Sequence, residues 1–319
     1  MFLKYFSSVL FFAVILIQPA WAQDYPARPL RMVVPIGPGS SGDAIFRALA
    51  ERMSAALGQP VIVESKPGAD ALVATQSVLN APADGYTLGF SSLTTVNAPA
   101  TNKAAKYDPL KDFRSIAIIS QGPLLLAVGP KSRFNTISEV VQASREKPES
   151  VTLGLYSSTY RLGALMMGQS GGIKFRLIPY KAFPQLINDV IGETTDVGLV
   201  DVGAALPMVR DGKIRALATT TAKPLPALPN VPTVGESINS DYHFTIWVGV
   251  VVRSQTPEPI VDKLEKVIRT ILVSEDFRSF AAKNNPTSQL IALTGEKAVK
   301  FYESEAQRYK EILPLLEYK

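Results

Sequence analysis

Short apolar runs alternate with amphipathic segments along the chain from about residue 24 onward. The apolar runs predict strands at 30–36, 61–63, 86–90, 115–119, 124–128, 151–155, 175–178, 197–200, 214–218 and 245–252. Apolar residues at helical spacing predict helices at 43–57, 69–80, 136–147, 160–168, 184–191, 204–210, from 256 onward, 275–283 and 295–313. The helix from 256 onward is expected to start with Thr256 as its cap and Pro257 in its first position. Strands that alternate with helices predict an α/β fold with parallel, doubly wound sheets.

Two extended apolar passages, around 119–124 and 247–252, join the middle of the chain to the rest. They predict two doubly wound α/β lobes joined by two crossing strands. The first lobe is expected to comprise 23–122 and 247–319, and the second 123–246. Loops at the carboxyl ends of both sheets converge between such lobes, so the ligand cleft is expected there.

The first 22 residues have the composition of a secretory signal peptide. Lys4 gives a basic start, residues 9–17 are apolar, and Ala20-Trp21-Ala22 is an A-x-A cleavage pattern. The apolar run is shorter than a bilayer span, which favours a cleaved signal over an uncleaved anchor. We therefore expect an exported protein that is soluble in the periplasm.

The composition removes several classes of function. The chain has 319 residues, 46% of them hydrophobic, which is enough for two domains with substantial cores. It contains no cysteine, so disulfides, thiolate metal sites, a cysteine nucleophile and a lipid-anchored cysteine are excluded. The formal charge of +5, or +4 without Lys4, is scattered along the chain. This pattern argues against nucleic acid and is compatible with a small anionic ligand.

Catalytic motifs are sparse. His243 is the only histidine, so a His-dependent triad or a multi-histidine metal site would have to use it. Ser144 and Lys147 form a formal S-x-x-K, but they lie in the charged end of a predicted helix, where a solvated surface is expected. The possible carboxylate pairs are Asp196 with Asp201 and Asp108 with Asp112. No metal-ligand spacing accompanies them and no P-loop occurs, so we expect no catalytic residue, metal or cofactor.

Residues 37–42 read GPGSSG, a formal G-x-G-x-x-G between a predicted strand and a predicted helix. Because Glu64 follows Gly42 by 22 residues, the pattern fits a dinucleotide-binding loop. Export away from cytosolic cofactors and the missing N–H of Pro38 disfavour that interpretation. Small residues before a helix N-terminus bind anions in general, carboxylates included. Asp43 is expected to cap the helix.

Two further segments rich in small polar residues follow predicted strands. One, at 90–95, contains Ser92, and the other, at 156–159, reads YSST. Each alone is typical of a solvent loop with hydroxyl caps. Three such segments at strand ends, distributed over both lobes, favour a site built from backbone and hydroxyl donors.

Seven segments form an ordered series through nearly the whole mature chain. They are YPARPLRMVVPIGPGSSGD (25–43), LGQPVIVESKPGA (57–69), PADGYTLGF (82–90), IPYKAFPQLINDVIGETTDVGLVD (178–201), VRDGKIRALATT (209–220), LPALPNVPTVGES (225–237) and, after Trp247, VGVVVRSQTPEPIVDKL. The series resembles the substrate-binding proteins of tripartite tricarboxylate transporters, also called the Bug family. The resemblance implies a periplasmic binding protein of Venus-flytrap architecture that closes on an organic acid.

The resemblance also implies which residues line the cleft. In the family, the ligand carboxylate is held by the loop after the first strand and by the serine-rich loop of the second lobe. By position, these loops supply Gly39, Ser40, Ser41 and Gly42, then Ser157, Ser158 and Thr159. The segment after 179–181 and the one starting at Asp201 flank the cleft, and Ser92 completes the candidate site.

Three departures from the family pattern bear on the ligand. The usual P-G-G-G-T-D loop reads PGSSGD here, and the Gly-Gly-Asn expected after Ala69 is absent. Arg161 stands near the usual place of a histidine. The fold should survive these changes, whereas the ligand can differ from the family's usual one. Arg161 either pairs with a second carboxylate or is an ordinary surface arginine.

We therefore expect a non-catalytic, monomeric receptor that binds a small organic acid and delivers it to membrane transporter subunits. Two alternatives remain open at this point. One is a sensor that binds the same acid and signals to a membrane kinase. The other is an exported hydrolase that uses Ser144 and Lys147.

Overall fold

The structure is a computed structural model that describes residues 25–37 and 41–312. The strands are β1 Leu30–Val34, β2 Val61–Ser65, β3 Thr87–Ser92, β4 Phe113–Val128, β5 Thr152–Leu155, β6 Arg176–Pro179, β7 Val197–Asp201, β8 Arg215–Thr219, β9 Thr245–Arg253 and β10 Gln289–Thr294. The helices are α1 Ser41–Leu57, α2 Leu72–Leu79, α3 Leu93–Thr101, α4 Pro109–Asp112, α5 Ile137–Glu146, α6 Ser158–Gly171, α7 Phe183–Ile191, α8 Val202–Arg210, α9 Val234–Ile238, α10 Glu258–Val273, α11 Glu275–Asn284 and α12 Glu296–Ile312. The proposed signal peptide lies outside the described residues.

The strands form two sheet regions that share strand β4. In the first lobe the order is β2-β1-β3-β9-β4, with β10 on the outer side of β4; in the second it is β4-β7-β5-β6, with β8 also on β4. Three neighbouring strands in each lobe are parallel, β2-β1-β3 and β7-β5-β6. Strands β4 and β9 run antiparallel to their neighbours, so each sheet is mixed.

Strands β4 and β9 connect the lobes. They pair with each other from Phe113 opposite Arg253 to Pro123 opposite Thr245, and beyond that point β4 pairs with β7 and β8. The expected α/β fold of two doubly wound lobes joined by two crossing strands is thus confirmed. The lobe boundaries given above stay a prediction.

Each sheet is covered on both faces. Along β1, Val33 points into one apolar cluster while Met32 and Val34 point into another, which also holds residues of α1 and α10. In the same way, Leu124 and Leu126 of β4 face away from Leu125. The strands therefore consist of near-continuous apolar runs, as strands buried on both faces do.

Strand β4 differs from the prediction of two strands separated by Gly122 and Pro123. Pro123 has no N–H to give to a neighbouring strand, which predicts a break. In the structure, it lies where β4 changes partners, since pairing with β10 ends at Gln121 and pairing with β7 begins at Leu124. The missing donor therefore costs no ladder hydrogen bond on that side.

Other corrections concern element ends. The segment 90–95 is not a solvent loop, since β3 continues to Ser92 and α3 follows directly with Thr94 and Thr95 buried. Helix α10 begins after Pro257, and the Thr256 hydroxyl makes no hydrogen bond, so the expected threonine cap is absent. Strand β10, which the pattern did not predict, pairs with β4. Within 25–37 and 41–312, no helix combines the length and the apolar character needed to cross a membrane.

Candidate ligand-binding site

Helix α6 carries the candidate loop of the second lobe and starts directly after β5. Ser157 is its N-cap, with extended backbone and an Oγ that accepts a hydrogen bond from the Tyr160 amide at 3.4 Å. Further along, Gly163 lets the ring of Phe244 pack on the helix, because a Cβ there would lie 2.9 Å from the ring. This packing fixes the helix on the core and leaves its first turn to contact the first lobe.

The first turn of α6 touches α3 of the first lobe. The hydroxyls of Thr94 and Thr159 lie 2.7 Å apart, and both residues are buried, at 7% and 5% exposure. Helix α3 is held in place because the Ser92 amide donates to Thr95 Oγ1 at 2.9 Å. The N-terminal ends of two helices, one from each lobe, thus meet at the predicted cleft.

A second contact across the cleft comes from Asp70. Its Oδ1 accepts a hydrogen bond from the Ser158 amide at 3.1 Å. Asp70 belongs to the first lobe, just before α2, and its side chain is otherwise exposed. The helix end expected to bind a ligand carboxylate therefore already binds a carboxylate of the chain.

Beneath this helix end, Asp201 is the centre of a tyrosine cluster. Its Oδ2 accepts a hydrogen bond from the Tyr160 hydroxyl at 2.7 Å and another from the Tyr156 hydroxyl. The two hydroxyls lie 3.0 Å apart. Burial, together with the nearby Asp201 carboxylate, raises the pKa of both tyrosines well above its ordinary value. The tyrosines thus stay neutral donors, and their hydroxyls stabilise the carboxylate by hydrogen bonds.

The opening loop of the first lobe is described in part. Gly39 and Ser40 lie outside the described residues, and α1 starts with the backbone of Ser41 and Gly42. Asp43 lies inside the first turn of α1, and its capping role stays a prediction. Asp43 is buried, with 3% of the residue exposed, and its carboxylate pairs with Arg47 Nε at 2.9 Å. Because β1 and β3 are parallel neighbours, the starts of α1 and α3 lie at the same sheet edge.

The structure brings most of the described candidate residues together. Ser157, Ser158 and Thr159 lie at the start of α6, whose Tyr160 donates a hydrogen bond to Asp201. Ser92 is the N-cap of α3, whose Thr94 contacts Thr159. Arg161 is half-buried in the same first turn of α6. The sequence prediction did not include Asp70, Thr94, Tyr156 or Tyr160 as site residues. Two signals were present: an aspartate where the family has glycine, and two tyrosines four residues apart, Tyr156 in the loop and Tyr160 in the first turn of α6.

The catalytic alternatives receive no support from the geometry. Ser144 is fully buried while Lys147 is exposed. The prediction that both residues lie on a solvated surface is therefore wrong for Ser144, and a substrate cannot reach that hydroxyl. His243 is exposed, with Nδ1 3.0 Å from the Asp241 carbonyl oxygen. Asp196 accepts hydrogen bonds from Thr152 at the opposite end of β7 from Asp201. Across the residues that the structure describes, no three acidic or histidine side chains are placed to hold a metal.

Two α/β lobes joined by crossing strands, with hydrogen-bond donors gathered between them, define a periplasmic binding protein. A solved structure of the periplasmic binding protein BugD is 27% identical, with a TM-score of 0.81, and covers 91% of this chain and 98% of that one. A solved structure described as R. palustris Rpa4515 with adipate is 25% identical, with a TM-score of 0.82 and the same coverage of both chains.

Sequence comparisons define the family. A model described as the tripartite tricarboxylate transporter family receptor matches residues 45–317. A UPF0065 protein of Bordetella bronchiseptica is 35% identical over 255 residues, 79% of this chain and 75% of that protein. Protein BugT of Bordetella pertussis is 29% identical over 301 residues, 92% of this chain and 91% of that protein. The chain belongs to the tripartite tricarboxylate transporter receptor family, as its motifs predicted.

Proposed function

We propose that this receptor captures a small organic carboxylate in the periplasm by closing its two lobes, and delivers it to the membrane subunits of a tripartite tricarboxylate-type transporter. In this proposal the mature protein starts after the signal peptide 1–22, works as a monomer and is not an enzyme. The proposed lobes are 23–122 with 247–319, and 123–246. The residues that we propose to line the ligand site are Gly39, Ser40, Ser41, Gly42, Ser92, Ser157, Ser158, Thr159, Arg161 and Asp201.

The observation that carries the proposal is the start of helix α6. Its Ser158 amide binds the carboxylate of Asp70 at 3.1 Å, and Thr159 places a hydroxyl beside it. A helix N-terminus favours anions because its amides are unpaired and its dipole is positive there. The R. palustris structure with adipate supports an organic acid as the class of ligand, since that protein is a structural relative of this chain.

The proposal predicts stabilisation by organic acids. We expect at least one member of a panel of adipate, malate, citrate, benzoate, glutamate and aspartate to raise Tm by about 5 °C or more at saturation. A thermal-shift screen measures this with protein purified free of ligand. Nucleoside phosphates serve as the contrasting class, because the glycine loop also fits a dinucleotide site. Stabilisation by a nucleotide and by no carboxylate would contradict the proposal.

The role of α6 is tested by comparing Thr159→Val with Thr94→Val. Both variants lose the same interlobe hydrogen bond, so their structural cost is matched. If Thr159 Oγ1 binds the ligand, Thr159→Val should lose roughly tenfold more affinity for the stabilising acid in calorimetry. Equal affinities of the two variants would remove Thr159 from the site.

A further inference from the structure

The loop before α2 has an unusual backbone. Ala69, Asp70 and Ala71 have φ values of 46°, 55° and 69°. Three consecutive non-glycine residues thus have a left-handed backbone conformation. Aspartate tolerates this region better than alanine, and such a conformation persists only where the surroundings hold it. The conformation places the Asp70 carboxylate against the other lobe. Helix α2 accordingly begins at Leu72 rather than at residue 69 as predicted.

The partner of Asp70 is an amide at a helix N-terminus in the opposite lobe. A carboxylate that accepts from such an amide gains a charge-assisted hydrogen bond and the favourable end of the helix dipole. A ligand carboxylate would use the same interaction, and the Ser158 N–H has only one proton to donate. Asp70 and a ligand carboxylate therefore cannot both hold it.

A second hydrogen bond joins the same two lobes. Thr94 and Thr159 meet one residue further along α6, in a contact from which solvent is excluded. The first turn of α6 is thus held against two separate elements of the first lobe, α3 and the loop before α2. Opening the lobes would break both contacts.

We propose that Asp70 is an internal carboxylate that occupies the start of α6 in the ligand-free receptor, so that a ligand carboxylate binds in exchange for it. This inference rests on the proposed function. A receptor whose empty form is already closed binds its ligand more weakly, in proportion to the fraction that is open. Asp70 then sets the ligand concentration at which the receptor responds.

Replacing Asp70 tests the exchange. Asp70→Asn removes the charge and keeps the side-chain shape, and Asp70→Gly also removes the acceptor while favouring the observed backbone. We expect affinity for the stabilising acid of the panel to rise roughly threefold to tenfold in Asp70→Gly, with Asp70→Asn in between. The control is Asp262→Asn, which removes an exposed carboxylate from α10 in the same lobe.

A distance measurement separates exchange from a simple charge effect. The chain has no cysteine, so the pair Gln76→Cys and Gln169→Cys on exposed positions of α2 and α6 can carry spin labels without background. Without ligand, Asp70→Gly should populate longer distances between the labels than the parent chain does.

Each remaining outcome decides something. Lower affinity in Asp70→Gly would mean that Asp70 supports the liganded form, and unchanged affinity and distances would overturn the exchange while leaving the receptor proposal standing. If no member of the panel binds either chain, the receptor proposal itself fails and the exchange falls with it. Binding to Asp70→Gly alone would support both.

Discussion

Each lobe contains a carboxylate that accepts hydrogen bonds from aromatic side chains, and the two behave differently. In the second lobe, Asp201 accepts from the hydroxyls of Tyr156 and Tyr160. In the first lobe, Glu305 of α12 accepts from the Trp247 indole N–H at 2.9 Å, and Arg308 lies 3.5 Å away. Both acids are half-buried, so both must be stabilised by their donors.

The difference lies in which partner changes its pKa. In the Asp201 cluster, burial and the carboxylate raise the pKa of the two tyrosine donors. At Glu305, burial raises the pKa of the acid itself, although Arg308 and the indole hydrogen bond oppose the shift. The same pairing of an acid with aromatic donors therefore predicts that stability falls with rising pH in both lobes, above pH 10 for the tyrosines and above pH 4.5 for Glu305.

The largest effect is expected from Asp201→Ala. It leaves two tyrosine hydroxyls in a buried place without their acceptor, which should cost about 2–4 kcal/mol of unfolding free energy. Asp201→Asn keeps an acceptor oxygen and should cost less, about 1 kcal/mol. Thermal or urea unfolding of the two variants measures the difference. Equal losses would show that the charge of Asp201, not its acceptor role, holds the cluster.

An intermediate effect is expected at alkaline pH. The tyrosine pKa is raised in the fold above its ordinary value of 10.0, so the stabilisation is complete below pH 10 and is lost as pH rises through the folded values. The slope is about 1.4 kcal/mol per tyrosine for each pH unit above 10.

A variant with both Tyr156→Phe and Tyr160→Phe isolates that slope. It should be less stable at neutral pH, because Asp201 loses both donors, and its stability should fall less steeply above pH 10. Denaturant titration at several alkaline pH values provides the measurement, with Tyr86→Phe as the control. Parallel curves for the parent and the double variant would contradict the pKa assignment.

Much of the fold could be predicted from the sequence because its strands and helices are strongly patterned. Every predicted helix is present and every predicted strand overlaps an observed one, with 115–119 and 124–128 joined in β4. The crossing passages lie where two apolar runs bracket the middle of the chain. Helix α3 was missed because its hydroxyl-rich start and Pro99 suggest a loop, whereas burial of Thr94 and Thr95 stabilises the helix. The spacing of apolar and polar residues reflects local preference only, and in α3 tertiary packing outweighs that preference.

The candidate site was less predictable because its key contacts join distant residues. The Thr94–Thr159 and Asp70–Ser158 hydrogen bonds span 65 and 88 positions, so no local spacing encodes them. Asp70 could be noticed only as an aspartate in place of a glycine, and its target became visible only in the folded chain. The sequence therefore predicts the loop before α6 as a ligand site, whereas only the fold shows that Asp70 contacts the start of that helix.

The smallest effect is expected from Glu305→Gln, and it has the opposite sign. The pKa of Glu305 is raised in the fold above its ordinary 4.5, so the protonated acid is favoured: its stabilisation is complete below pH 4.5 and is lost as pH rises through the folded value. At pH 7 the charged form opposes folding, and glutamine removes that charge while keeping an acceptor for the Trp247 N–H. We expect a gain of at most about 1 kcal/mol at pH 7, read as a higher Tm, which disappears near pH 4.

Glu303→Gln on the exposed side of the same helix should change little. A loss at pH 7 would mean that the Arg308 pair outweighs burial, and Glu305 would then belong with Asp43 and Arg47, where an acid is held by a cation.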